Sequence, residues 1–334
     1  MDKLIKGGTL VTPRGMVKGS LLIQGEKIAA LGEAADRLAG LPADGAAIAG
    51  GAGFAGGTAK TDGTATAGGT AKTDGTATAG GSGLARGTAA AGGADTAAGL
   101  EIVDAEGCLV FPGFIDTHTH FQLNNGYVIS PDDFDTGTKA ALLGGTTTIL
   151  DFATQNRGET LGQGFANWHA MAGGRANCDY GFHMAISRWD RAAEAAVQEM
   201  ADAGVTSFKV YMAYDNLRVS DAEIFEILQK IAQVGGILGC HCENGDLVNV
   251  LVRQTLAAGI TGPEGHPLSR PPEVEAEAVY RYLTIAKMAG CPVNIVHTST
   301  RRALETVAAA RAEGQEVYVE TCPQYLLFTD ERYS

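Results

Sequence analysis

The chain has 334 residues, a formal charge of −13 and 45% hydrophobic residues, enough to bury a large α/β core beside a smaller domain. Its acidic balance, with lysines and arginines scattered rather than clustered, argues against nucleic acid as a partner. No run approaches the ~18 apolar residues of a membrane span, and the start, M-D-K-L-I-K-G-G, lacks the apolar core of a leader. A cytoplasmic protein without membrane contact is expected. The six cysteines form no C-x-x-C pair and no framework spacing, which fits a reducing compartment. Cys240 and Cys242 flank His241 and read as buried thiols on the opposite face of its strand.

Residues 1–42 read as short strands and turns, with V-K-G-S-L-L-I-Q and K-I-A-A-L joined as a hairpin across Gly25. Residues 100–108 resume that style, so the two segments together are expected to form a small N-terminal β-sandwich part. Between them, residues 43–99 are almost wholly Ala, Gly, Thr and Asp, and A-G-G-T-A-K-T-D-G-T-A-T occurs twice, at 55–66 and 67–78. So little large apolar surface cannot offset ordering entropy, and a disordered insertion is expected.

From residue 109 to 334 strand-like and helix-like runs alternate. Strands are expected near 109–116, 145–151, 180–186, 206–212, 237–242, 293–298 and 316–321. Helices are expected over 190–203, 221–234, 273–289 and 301–313, the last two on apolar positions at helical spacing. Repeated β-then-α means parallel strands with crossover helices. A doubly wound sheet is one arrangement, but candidate ligands at the ends of several non-adjacent strands suit the mouth of a (β/α)8 TIM-type barrel better.

Those candidates begin with L-V-F-P-G-F-I-D-T-H-T-H, where His118 and His120 are two positions apart and so face the same way on an extended chain. Lys209 in T-S-F-K-V-Y-M-A-Y, His241 in I-L-G-C-H-C-E-N-G-D and His297 in V-N-I-V-H-T-S-T each end or occupy an apolar run. Imidazoles gathered at strand ends suit a divalent metal, although satisfied core histidines and a snorkelling lysine are the plainer readings. A free ammonium cannot ligate, so Lys209 joins such a set only as an anion. His183 reads as structural, Asp151 as a cap or orienter, and His169 and His266 as surface or loop residues. Glu243, Asn244 and Asp246 read as a helix start, and Gly262–Pro272 with Arg270 as a rigid surface loop.

The motifs G-F-I-D-T-H-T-H-F-Q-L (113–123), F-K-V-Y-M-A-Y (208–214), H-C-E-N-G-D (241–246), G-P-E-G-H-P-L-S-R-P-P-E-V-E-A-E-A (262–278) and E-T-C-P-Q-Y-L-L (320–327) resemble the dihydropyrimidinase and D-hydantoinase group of the cyclic amidohydrolases. The resemblance implies a (β/α)8 barrel, of which seven strands are legible, with a β-sandwich and a homotetrameric assembly. It implies two zinc ions: His118 and His120 on the first, His241 and His297 on the second, and a carboxylated Lys209 bridging both. Tyr214 matches the tyrosine that hydrogen-bonds the substrate carbonyl. The implied reaction opens a dihydropyrimidine or 5-substituted hydantoin to an N-carbamoyl amino acid, using a hydroxide that bridges the two ions. An eighth strand with a further metal-binding aspartate would lie beyond Ser334, so a truncated chain with weak or absent turnover is expected. A non-catalytic scaffold relative is the contrasting class, disfavoured because all five ligands are retained; allantoinase and dihydroorotase are the other enzymatic readings.

Overall fold

The computed structural model describes residues 2–40, 99–124, 129–156 and 158–333. Apart from Gly99, the expected insertion over 43–99 lies outside the described residues. The chain divides into two units, Met1–Pro112 and Gly113–Ser334.

The first unit is built on β1 (Asp2–Thr12), which pairs antiparallel with β2 (Gly15–Gln24). β2 turns through Gly25 (φ +59°) into antiparallel β3 (Lys27–Leu31), the expected hairpin. On its other side β1 pairs in parallel with β4 (Leu100–Asp104) and β5 (Leu109–Val110), completing a five-stranded sheet. The β1–β2 register shifts between Ile5 and Gly8, where Gly7 takes φ +75°, a bulge that an L side chain resists. Helix α1 (Glu33–Leu38) sets Ala35 against Leu4 and Leu22, all three essentially sealed from solvent.

The second unit is a seven-stranded parallel sheet. Its strands are β6 (Phe114–Thr119), β7 (Thr146–Thr154), β8 (Asp179–Ala185), β9 (Ser207–Tyr211), β10 (Ile237–His241), β11 (Val293–Ile295) and β12 (Val317–Val319). They lie side by side in chain order. A doubly wound sheet reverses order at a switch point, whereas unbroken sequence order with every pair parallel is how a (β/α) barrel winds. The sheet is therefore a partial barrel.

Helices follow the strands: α2 (Phe134–Leu143), α3 (Leu161–Ala172), α4 (Arg191–Asp202), α5 (Asp221–Gln233), α6 (Gly245–Ala257), α7 (Gly265–Ser269), α8 (Pro272–Ala289), α9 (Arg301–Ala312) and α10 (Pro323–Leu327). The causes are local. Ser220 and Glu223 form a reciprocal capping box at the start of α5. Ile224, Ile227, Leu228 and Ile231 then recur at helical spacing and are fully buried. α8 begins on Pro272 and stops at Gly290 in the left-handed conformation (φ +69°). Its Tyr282 is fully buried and donates its hydroxyl to the Leu238 carbonyl at 2.8 Å, tying helix to strand.

One strand differs from expectation. The run over 109–116 divides: Leu109–Val110 joins the N-terminal sheet, and the barrel strand starts at Phe114. Pro112 has no N–H to give a ladder. At Gly113 a Cβ would stand 1.9 Å from Thr147 Oγ1, so only glycine lets the chain approach β7 there.

Candidate metal centre

β6, β9, β10 and β11 deliver their carboxyl-terminal residues to one end of the sheet. There the five residues singled out from sequence converge. The His118 ring lies 5.2 Å from that of His120 and 5.4 Å from that of His297, and the His241 and His297 rings are 4.8 Å apart. The Lys209 amine is 3.2 Å from Nε2 of His118, and its charge also reaches His120 and His297. Tyr214 sets its ring 4.9 Å from that of His241.

Each member is held by the fold beneath it. Phe152 on β7 forms the floor: its ring lies 4.5 Å from His118, stacks on His120 at 4.9 Å, and sits 4.1 Å under the Lys209 amine. Asp151, fully buried beside it, accepts from the Phe121 amide (2.8 Å), the Thr119 hydroxyl (2.9 Å), the Trp168 indole (2.8 Å) and the Phe152 amide (2.8 Å). Two of these donors bracket His120, so Asp151 orients the end of β6. His183 has both ring nitrogens occupied, by Ser207 Oγ at 2.7 Å and the Thr117 carbonyl at 3.0 Å, and is structural. Cys240 and Cys242 are buried among core residues.

Backbone strain collects at the same place. Gln122, Tyr214 and His297 are the described non-glycine residues with left-handed backbone, at φ +52°, +68° and +37°. Such conformations cost roughly 1–3 kcal/mol each and persist only where surrounding contacts dictate them. At His297 the dictating contacts are visible: the Thr298 amide donates to the Glu320 carbonyl (2.7 Å), and the Glu320 amide donates to the Ile295 carbonyl (2.9 Å).

The electrostatics favour neutral donors. Burial, then the Lys209 charge, pushes the His120 imidazole down to about 2; burial, then His241, does the same at His297. His118 is also lowered by burial, against an opposing pull from Glu320. Lys209 is sealed from solvent, and burial brings its amine down to about 7. Burial raises the Tyr214 phenol, with the Glu243 charge adding to it.

Two carboxylates complete the cluster. Glu320 Oε2 lies 2.8 Å from Nδ1 of His118, and Glu243 Oε2 lies 2.7 Å from Nε2 of His241. Burial works to raise both carboxyls, but the adjacent imidazoles hold both below the ordinary range. Neither is found by ligand motif. Glu243 does not cap α6, which is capped by Asn244. Arg270, expected to serve a surface loop, instead reaches Glu243 at 3.5 Å, and its charge pulls the Tyr214 phenol down against burial. Acidic residues directly following strand ends, in H-C-E and V-E-T, are the signal available for both.

This set fits divalent ions. His120 Nδ1 is buried with no hydrogen-bond partner, which costs free energy unless something fills its lone pair. Imidazole nitrogens are donors that zinc-like ions prefer. Among the described residues no three His, Cys, Asp or Glu side chains by themselves form a metal-holding group. A separate cavity of about 520 Å³ near Met212, Arg218 and Arg281 is lined by none of the imidazoles.

A sequential parallel sheet that gathers four imidazoles and a buried lysine at one end of its strands defines a candidate metal site on a partial (β/α) barrel. The Amidohydrolase family model matches residues 109–324, and the chain belongs to that family. It is 36% identical to the D-hydantoinase of Geobacillus stearothermophilus over 335 aligned residues, covering 100% of this chain and 58% of that protein. Against the dihydropyrimidinase of Rattus norvegicus identity is 46% over 224 residues, covering 66% of this chain and 43% of the relative. A crystal structure of a D-hydantoinase superposes with a TM-score of 0.77 at 34% identity, covering 99% of this chain and 59% of that one. The chain thus spans about half the length of the curated relatives it matches.

Proposed function

We propose that the chain carries the dinuclear centre of a hydrolase that opens cyclic amides of the dihydropyrimidine or 5-substituted hydantoin type to N-carbamoyl amino acids. The convergence of His118, His120, Lys209, His241 and His297 is the observation that carries this reading. His118 and His120 would hold one zinc ion, His241 and His297 the other. Lys209, carboxylated on its amine, would serve both. Divalent ions held there acidify water and polarise a carbonyl.

The chain's own residues prepare the rest. Burial brings Lys209 down to about 7, so a large share of the amine is neutral at cytosolic pH, and the neutral amine is the form whose nitrogen bonds the carbon of carbon dioxide and releases a proton to solvent, leaving a carbamate anion. Tyr214 keeps its proton, because burial and Glu243 raise its phenol. It can therefore donate to a carbonyl oxygen as negative charge develops there. Arg270 reaches Glu243 at 3.5 Å, and the Tyr214 ring lies 4.9 Å from that of His241.

Six free cysteines, with no disulfide among the described residues, support a reducing cytoplasm, and no described helix is long and apolar enough to cross a membrane. A homo-oligomer, tetrameric by the resemblance, completes the reading, with a small cyclic amide as the partner molecule.

The test is metal stoichiometry of the purified chain together with hydrolysis of dihydrouracil and hydantoin. About two zinc ions per chain and ring opening are expected; a folded chain that binds no zinc would favour the scaffold class. Tyr214→Phe is expected to lower kcat on the order of 10²-fold, the scale for one oxyanion donor, with bound zinc unchanged. An equal loss of zinc would place Tyr214 in the scaffold of the site instead.

A further inference from the structure

An imidazole has two ring nitrogens, and the partner of one decides what the other can do. A carboxylate only accepts hydrogen bonds, so a ring nitrogen at 2.7–2.8 Å from one must carry the proton and donate. At Glu320 that nitrogen is Nδ1 of His118; at Glu243 it is Nε2 of His241. The bare lone pairs are then opposite in the two rings. Nε2 of His118 faces the Lys209 amine at 3.2 Å, and Nδ1 of His241 faces Nε2 of His297 at 3.0 Å.

Both carboxylates are themselves fixed. The second oxygen of Glu320 accepts from the Asn294 amide side chain. Its backbone is bonded on either side of His297, to Ile295 and Thr298. The second oxygen of Glu243 meets Arg270 at 3.5 Å. His183 supplies the contrast, since a hydroxyl and a carbonyl take both its nitrogens.

We propose that Glu320 and Glu243 are positioning residues that allot the ring nitrogens, Glu320 presenting Nε2 of His118 to one metal ion and Glu243 presenting Nδ1 of His241 to the other. This rests on the dinuclear reading, yet its first consequence concerns the metal-free protein. Two-bond ¹H–¹⁵N correlation spectra of the chelator-treated, ¹⁵N-histidine-labelled chain are expected to show His118 protonated on Nδ1 and His241 on Nε2. His118→Asn and His241→Asn assign the two spin systems. The reverse tautomer at either ring overturns the allotment without any glutamate variant.

Glu320→Gln and Glu243→Gln, which keep side-chain size, are expected each to mix the tautomers of its own histidine alone. In competition with a chelator, each should weaken one of the two zinc ions by about 10–100-fold and leave the other in place. Unchanged tautomers and zinc affinities in both variants would overturn the proposal. So would equal loss of both ions in step with a lower thermal midpoint, which marks a general structural role. Failure of the wild-type chain to bind zinc would instead defeat the dinuclear reading, while the tautomers still decide the allotment of protons.

Discussion

Lys209→Met is expected to abolish bound zinc and ring-opening activity while making the metal-free protein more stable. Lys209 lies in the middle of β9, and its amine stands 3.2 Å from Nε2 of His118, where a carboxylated side chain would reach both ions of the proposed centre. Its removal should therefore cost more than the roughly 10–100-fold that loss of an outer partner costs. Stability moves the other way. Among the described residues no carboxylate pairs with the amine, which rests over the Phe152 ring. A lysine brought down to about 7 by burial folds at a penalty whenever it is protonated. Methionine fills a similar volume without charge and so avoids that penalty.

The pH dependence follows with a definite sign. Between about pH 7 and about 10.4 the unfolded chain keeps the Lys209 proton and the folded chain has lost it. The unfolded state then binds more protons, so the stability of the metal-free wild type rises with pH through this window. Lys209→Met removes that contribution. Urea unfolding in chelator at pH 6.5 and 9 measures both effects. A variant less stable than wild type at pH 6.5, or still carrying zinc, would contradict the assignment.

Asp151→Ala should produce the largest loss of stability at the site, about 3–5 kcal/mol. Its carboxylate accepts from Phe121, Thr119, Trp168 and Phe152 in a fully buried position. Truncation strands those donors without water, and unsatisfied buried donors each cost about 1–3 kcal/mol. Asp151→Asn keeps one acceptor oxygen and should lose less. Because Thr119 and Phe121 bracket His120, zinc content should fall in both variants even where the protein remains folded. Urea denaturation followed by tryptophan fluorescence, with zinc assayed at each step, checks this. Wild-type zinc content in a destabilised Asp151→Asn chain would show that Asp151 supports β7 alone.

Much of this architecture is legible in the sequence. The β/α alternation, the four expected helices from 190 to 313 and all seven barrel strands were readable from periodicity, because each element buries a stripe set by its own repeat. Boundaries were less so. The 109–116 run divided at Pro112 and Gly113 because the second half packs against Thr147, a contact 34 residues away in sequence. By motif alone Glu243 is a helix start and Arg270 a loop residue, and Glu320 carries no role, because their partners are set by the fold.

The barrel class is legible in the sequence, and so are the five candidate residues, because β/α alternation and apolar runs around His118, His120, Lys209, His241 and His297 are local properties of each segment. Which groups hold those five in place depends on the fold. Asp151 reaches Trp168, Glu320 reaches His118 across 202 positions, and Glu243 meets Arg270. Hydrogen bonds of this kind depend on the distance between atoms brought together by the curl of the sheet, and no one-dimensional pattern encodes that distance. The left-handed backbone at Tyr214 and His297 has the same origin: it is imposed by neighbours, against the preference of the residues that adopt it.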